Sequence, residues 1–291
     1  MSPPTEWQRI YDELSDEGAP HVTKITGQLD KSKPLMYWAA GLSFDYVKEK
    51  FFDPMSEALK TDPDRAIQLM KEFYSDFPYH YKKAKSYHEK KSKEARDIGS
   101  YVHEAAEDIF RALIEESELG VPVDDDIQKP VEALLNWFAD NDVRPVLVEQ
   151  KVFGSIMASD FGDDTPEIFY IGKLDVVSFV NKRLLTIDLK AAKGIYDDFP
   201  IQVAAYDYAL NQMIEQGHLE GDETEGTAIL RLDKETGMPE FVEYSREQTD
   251  EYFQCFAHLC AYVHMDRRRR ENDKFRKAEA KKKPEKEEDP Y

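Results

Sequence analysis

The stretch RLLTIDLK, residues 183–190, limits the possible folds more than any other part of the chain. Leu184, Leu185, Ile187 and Leu189 mark a buried strand, yet Asp188 and Lys190 are embedded in it. Side chains alternate across a strand. Leu185, Ile187 and Leu189 therefore point one way, and Thr186, Asp188 and Lys190 point the other. One face reads as core and one as polar, with the acid and the base about 7 Å apart along the strand. The residues before it, SFV-NK-RLL, read as a tight antiparallel hairpin, with Asn181 in a position that tolerates positive φ. If Asn181 and Lys182 form a two-residue loop, Val180 pairs with Arg183 and Asp175 lies directly opposite Asp188. A four-residue loop gives the same register; a three-residue loop does not. Two carboxylates facing each other on one sheet surface repel. A divalent cation between them is the natural remedy, because hard cations take carboxylate oxygens. Lys190 alone neutralises only one of them. A bare D-x-K pattern also suits a surface ion pair on a one-sided sheet. The second aspartate in register is what favours a metal site.

The rest of the chain frames this hairpin. Residues 1–20 are polar and read as loosely packed. Residues 21–60 read as a short lead-in segment and then one helix, KPLMYWAAGLSFDYVKEKFF, with Pro34 near its start. A second helix spans 62–76, capped through TDPDR. A long one covers roughly 80–119, with Val102, Ala106, Ile109, Phe110 and Leu113 at helical spacing, and another covers 127–140. The texture then changes to β-branched and aromatic runs, predicting strands at 144–153, 167–180 and 183–190. A helix follows at 199–217, ending at Gly217. Strands are expected at 226–233 and 239–245, and a last helix begins at Arg246. This order predicts an α/β (α+β) fold: a mixed central β-sheet flanked by helices, preceded by a helical cap. The expected divisions are a cap at 1–140 that includes the His103 helix, a core at 141–265, and a basic, disordered tail at 266–291. Cap and core are expected to form one compact unit.

Hydrophobic residues make up 41% of the chain and aromatics 12%, enough for a real core and too many for a disordered protein. No apolar run reaches 18 residues, so no membrane span is expected. The first residues show neither the basic nor the apolar region of a signal peptide. The two cysteines, Cys255 and Cys260, are spaced for neither a zinc knuckle nor a disulfide framework, and a reducing cytoplasm is the expected compartment. The formal net charge of −20 argues against indiscriminate binding to polyanions. Two basic segments nevertheless permit local nucleic-acid contact. Residues 82–96 carry seven Lys/Arg against two Asp/Glu, and residues 267–286 carry eleven against four. Either segment also suits a solvated helix face or a tail.

Several further residues share faces. His103 and Glu107 lie one turn apart on the long helix, as do Gln202 and Tyr206 on the later one. A lone helical histidine is commonly structural, and Glu149, inside VLVEQKVF, reads by itself as an edge or solvent-face acid. Taken in order, IGSYVHEAAE, VEQKVF, GKLD, IDLK and QVAAY resemble the RecB-type branch of the PD-(D/E)XK nuclease superfamily over about 98–208. The segment VTKITGQLDKSKPLMYWAA is also similar to the N-terminal part of phage-encoded and mitochondrial genome maintenance exonucleases of that branch. Leu174 stands where the superfamily pattern has proline.

The resemblance implies a restriction-endonuclease-like core and a role for each matching residue. His103, Asp175, Asp188 and the Leu189 backbone carbonyl would bind Mg²⁺ or Mn²⁺. A histidine ligand would favour Mn²⁺, because imidazole is softer than carboxylate. Lys190 would position or help deprotonate the attacking water, and Glu149 would hold a water at the ion or a second ion. Gln202 and Tyr206 would brace the active strand or touch DNA. Lys82, Lys83, Lys85, Lys90 and Lys91, interleaved with Tyr81 and Tyr87, are the candidate DNA contacts. Two cysteines cannot supply the four that relatives with an iron–sulfur cluster use, so no cluster is expected. The implied activity is a metal-dependent DNA exonuclease in a bacterial or phage-infected cell, acting on single strands or DNA ends in replication, recombination or repair, with no membrane partner. A structure-selective endonuclease and a non-catalytic DNA-binding protein on the same fold are the alternatives.

Overall fold

The computed structural model describes residues 4–29, 32–118, 125–157, 159 and 167–282. The helices are α1 (Glu6–Asp16), α2 (Val22–Thr26), α3 (Ser32–Val47), α4 (Asp53–Thr61), α5 (Pro63–Ser75), α6 (Phe77–Glu115), α7 (Gln128–Asp140), α8 (Asp198–Glu215) and α9 (Arg246–Lys282). A π-helical turn, Lys48–Phe52, joins α3 to α4. The strands are β1 (Val143–Val148), β2 (Lys151–Met157), β3 (Glu167–Lys173), β4 (Val176–Val180), β5 (Arg183–Lys190), β6 (Gly226–Leu232) and β7 (Pro239–Ser245). No described helix is long and apolar enough to cross a membrane.

The main sheet has the order β1-β4-β5-β6-β7. Only β5 and β6 run parallel, so the chain must cross over between them, and α8 is that crossover. The remaining pairs are antiparallel. A mixed sheet with flanking helices is the architecture expected from the strand and helix order. The hairpin register is also as expected. Val180 pairs with Arg183 and Val176 with Ile187, which sets Asp175 across from Asp188. The loop has positive φ at both Asn181 (50°) and Lys182 (77°), the two-residue turn whose twist matches the strands.

Several expectations need correction. The stretches 144–153 and 167–180 are not single strands. Each breaks and changes sheet: β1 and β4 belong to the main sheet, whereas β2 and β3 form a separate two-stranded one. The breaks fall at Glu149–Gln150 and Leu174–Asp175. They are tied together by Glu149 N–H to Asp175 O (2.7 Å) and Leu174 N–H to Gln150 O (2.9 Å). The polar face of β5 is covered as well: α8 packs on it, and Thr186 and Asp188 are as buried as Leu185 and Ile187. A central strand covered on both faces is usual where a parallel crossover helix lies on the sheet. The first twenty residues are not loose: α1 buries Tyr11, and just after them α2 buries Val22 and Ile25. The segment from 266 onward is helical through Lys282; residues 283–291 lie outside the described residues.

Two compact units emerge, one of residues up to Gln28 and from His103 onward, the other Leu29–Val102. The division thus falls at 28/29 and 102/103, not at 140/141, and places His103 and α7 with the strands. Within the larger unit, Ile187, Ala228, Ile229 and Leu230 of the sheet and Val203, Ala204 and Leu210 of α8 are all buried. Within the smaller unit, Phe51 stacks on Phe73 and Phe73 on His80. Tyr46 bonds to His80 Nδ1 at 3.2 Å. The single helix expected before residue 60 is here α3, the π-helical turn and α4. Pro54, near the start of α4, accounts for the break, since proline suits a first helical turn.

Candidate metal centre

Three side chains from three elements converge. His103 comes from α6, Glu149 from the bend after β1, and Asp175 from the bend before β4. One ligand atom of each lies within 4.8 Å of the other two. The strand breaks aim the two acids. Glu149 has φ 53°, a left-handed conformation uncommon for a residue with a side chain. Such strained positions gather at functional sites. His103 Nδ1 lies 3.5 Å from Asp175 Oδ1, and the Leu189 amide donates to Asp175 Oδ2 at 2.7 Å. Asp175 is therefore held between the helix and the neighbouring strand. Glu149 is met by Lys173.

Asp188 stands beside this trio. Lys190 Nζ lies 2.6 Å from Asp188 Oδ2, and this fully buried oxygen has no other polar partner among the described residues. Its other oxygen accepts from Gln202 Nε2 at 3.3 Å, and Gln202 also reaches the Tyr206 hydroxyl at 3.1 Å. The Lys190 ammonium lies 5.1 Å from the centre of the Phe199 ring. Of the expected metal set, then, His103 and Asp175 meet directly, and Glu149 completes the convergent trio. Leu189 contributes its N–H to Asp175. Glu107, on the same face as His103, turns to Arg111 (2.7 Å). Lys82, Lys83, Lys85, Lys90 and Lys91 all lie in the smaller unit. Lys83 lies over Tyr79 and Lys91 over Tyr87, while Lys90 and Lys91 both approach Glu94.

The electrostatics are those of a site short of positive charge. Burial is the largest influence on Asp188 and, with the Asp175 charge, pushes it to about 6 despite Lys190. Burial also raises Glu149, against Lys173. Asp175 would rise by burial too, but His103, Lys190 and the Leu189 amide outweigh it and hold it below the usual carboxylate range. His103 and Lys190 are lowered by burial and raised further by the acids, so both end above their ordinary values. A buried carboxylate whose outer oxygen meets only an ammonium, beside one imidazole and two further carboxylates, is a donor set that fits a divalent cation.

Three contributors were not singled out in the sequence. Lys173 and Phe199 are two of them. The third is Gly172, in the GKLD stretch. A Cβ there would lie 2.6 Å from Tyr206 Cε1 and 3.2 Å from Val22 Cγ2. Neither a buried ring nor α2 yields easily, so this glycine makes room for the tyrosine that anchors Gln202. Gly172→Ala is expected to cost about 1–3 kcal/mol through overpacking and to lower activity by shifting Gln202. A thermal melt and a nuclease assay check both.

Comparison with known families agrees with this geometry. The sequence model of the PD-(D/E)XK nuclease superfamily matches residues 72–282, a span that contains every residue of the centre. The chain belongs to that superfamily, whose members cleave nucleic acid with divalent metal ions. No curated protein matches it.

Proposed function

We propose that this protein is a DNA exonuclease of the RecB-type branch, dependent on Mg²⁺ or Mn²⁺ and acting on single strands or ends. The observation that carries the reading is the convergence of His103, Glu149 and Asp175 beside the Asp188–Lys190 pair. The five short motifs around these residues occur in the order of that branch, with GKLD running from the end of β3 into the bend before β4 and IDLK on β5, the strand paired with β4. The basic, tyrosine-bearing stretch 81–91 suits a flexible strand, whose bases stack on aromatic rings while lysines follow the phosphates.

His103, Glu149 and Asp175 would hold the ion, with Asp188 and the Leu189 carbonyl completing its surroundings. When bound, the cation polarises the phosphodiester and makes water a better nucleophile. The chain's own groups do the rest. Lys190 is held protonated by Asp188 and Asp175. It is therefore suited to orient the water and to stabilise negative charge building on the phosphate, more than to accept a proton. Phe199 and Asp188 restrict where its ammonium lies. Gln202, tied to Tyr206, keeps Asp188 from rotating.

His103→Ala is expected to weaken Mn²⁺ binding severalfold by calorimetry; unchanged affinity returns His103 to a purely structural role. Digestion of end-labelled linear and circular DNA, single- and double-stranded, with Mg²⁺, Mn²⁺ or EDTA tests the activity itself. Loss of label from linear substrates only, and only with metal, is expected. Cutting of circles would replace the reading with an endonuclease, and binding without cutting would replace it with an inert DNA-binding protein.

A further inference from the structure

The C-terminal half of α9 has no place in the centre just described, and in the larger unit of this acidic chain it is strongly basic. The last buried residues of the helix are Cys260 and Ala261, and from Arg267 to Lys277 nearly every residue is exposed. A helix that leaves the core has no packing to hold it, so its side chains must. Arg267 pairs with Glu271 and also donates to the Gly18 carbonyl at 2.9 Å, anchoring the helix as it leaves the core. Arg269 pairs with Asp266 and Asp273, and Arg270 with Asp266. These one-turn pairs support the helix and use the nearby acids. Among the described residues, Lys274, Arg276 and Lys277 have no acidic partner. The surplus is substantial: eleven Lys/Arg against four Asp/Glu over 267–286, in a chain of net charge −20.

We propose that this protruding helix, Arg268 to Lys277, is a second nucleic-acid contact that grips the backbone of double-stranded DNA without reading its sequence. The ligand class follows from what the surface has and lacks. It has cations in excess, arranged on a straight rod about 14 Å long at 1.5 Å per residue. A duplex presents one negative charge per about 1.7 Å, hence about eight over that length; a single strand presents far fewer. Single-strand binding usually adds a row of aromatic rings, and here only Phe275 among residues 268–277 is aromatic. A membrane surface would need an apolar face opposite the charges, and the exposed positions carry none beyond Phe275. On the exonuclease reading, such a contact would hold the duplex behind the end being degraded, and it rests on that reading only for this role.

The test uses the full chain in EDTA, where no cleavage occurs, and a fluorescein-labelled 30-base-pair duplex followed by anisotropy across salt concentrations. The variant is Lys274→Gln/Arg276→Gln/Lys277→Gln, which keeps good helix formers at exposed positions. Removing three phosphate contacts is expected to reduce the slope of log affinity against log salt by about 2.7 and affinity at low salt at least about tenfold. Cleavage of a short single-stranded oligonucleotide by the same variant is expected to match wild type. An unchanged slope and affinity would overturn the proposal. So would an equal loss of binding to phosphatidylserine vesicles or to a polyglutamate peptide, because the surface would then be a general polyanion or lipid contact. Lys190→Ala separates the two readings: it is expected to bind the duplex as wild type does while failing to cleave. If it cleaves normally, the assignment of Lys190 to the centre fails and the α9 result still stands on its own.

Discussion

A Lys190→Ala protein is expected to bind Mn²⁺ at least as well as wild type and yet to lose cleavage by about 10²–10³-fold, the usual effect of removing one group that stabilises developing charge. The two halves of that result have different causes. Lys190 carries the same sign as the metal ion, so removing it relieves repulsion at the ion's site. Its own work concerns the phosphate, where no other described cation in the main sheet sits so close to Asp188. The fold is expected to survive. Burial already pushes Asp188 to about 6, and without Lys190 it rises further, so in the metal-free variant it takes up a proton at neutral pH instead of remaining a stranded charge, a proton that Mn²⁺ displaces on binding. The sign of the pH effect follows. A carboxyl whose folded-state pKa lies above its unfolded value binds a proton on folding, so the variant gains stability as pH falls through that raised pKa toward 3.8. Asp188→Ala is expected to lose cleavage as well, but with weaker Mn²⁺ binding. Calorimetry, circular dichroism and the end-label assay separate these outcomes. Full activity in both variants would sink the assignment of the centre.

The part of this site that was legible in the sequence is the part governed by two-residue periodicity and turn length. Both rules are local. The alternation in RLLTIDLK set Asp188 and Lys190 on one face, and the Asn181–Lys182 turn set the register that brings Asp175 opposite Asp188. Helix identity was also local: the 3.6-residue spacing of Val102, Ala106 and Ile109 placed His103 on a helix. What was not legible depends on long-range packing. Nothing in VLVEQKVF says that the strand breaks at Glu149, because the break exists to let β2 leave the main sheet with β3. The same event breaks the partner run at Leu174–Asp175, so both acids lie at bends, not within strands. Only when the two runs are seen paired does the shared break become visible.

The burial of that face was not legible for a related reason. Alternation labels the face of Thr186 and Asp188 as polar and says nothing of what covers it. The covering helix α8 arrives from beyond the strand, and it carries polar groups that meet them: Gln202 for Asp188 and Asp207 for Thr186 (2.9 Å). The polar residues of one face are satisfied by polar residues of the other, as a buried interface requires. Asp207 follows Tyr206 directly in the chain and gave no separate signal, since one acid in a helix is ordinarily a surface residue.

Arg246→Ala is expected to destabilise the protein by about 3–5 kcal/mol, the cost of leaving one member of a buried ion pair without its partner, and by more than Asp207→Ala. Asp207 is fully buried and receives Arg246 at 2.7 Å, Thr186 at 2.9 Å, Asn211 at 3.3 Å and the Thr224 hydroxyl. It ties β5, α8, the segment before β6 and the start of α9 together. The two partners are unequal: the Arg246 side chain is 36% exposed, and that of Asp207 is wholly buried. Removing Asp207 leaves a guanidinium that water can reach. Removing Arg246 leaves a carboxylate that water cannot. Even in the native protein, burial outweighs Arg246 and keeps Asp207 above the ordinary carboxylate range. Without the arginine it rises further, so folding takes up a proton. The Arg246→Ala deficit is therefore expected to be largest at pH 8 and to shrink as pH falls through the raised pKa toward 3.8. Urea denaturation at pH 8 and pH 5 measures this directly. Because Thr186 lies two residues from Asp188 on the same face of β5, loosening this clamp is also expected to lower cleavage under conditions where the variant remains folded. Equal deficits at both pH values, or a smaller loss for Arg246→Ala than for Asp207→Ala, would show that the network acts through packing instead of charge.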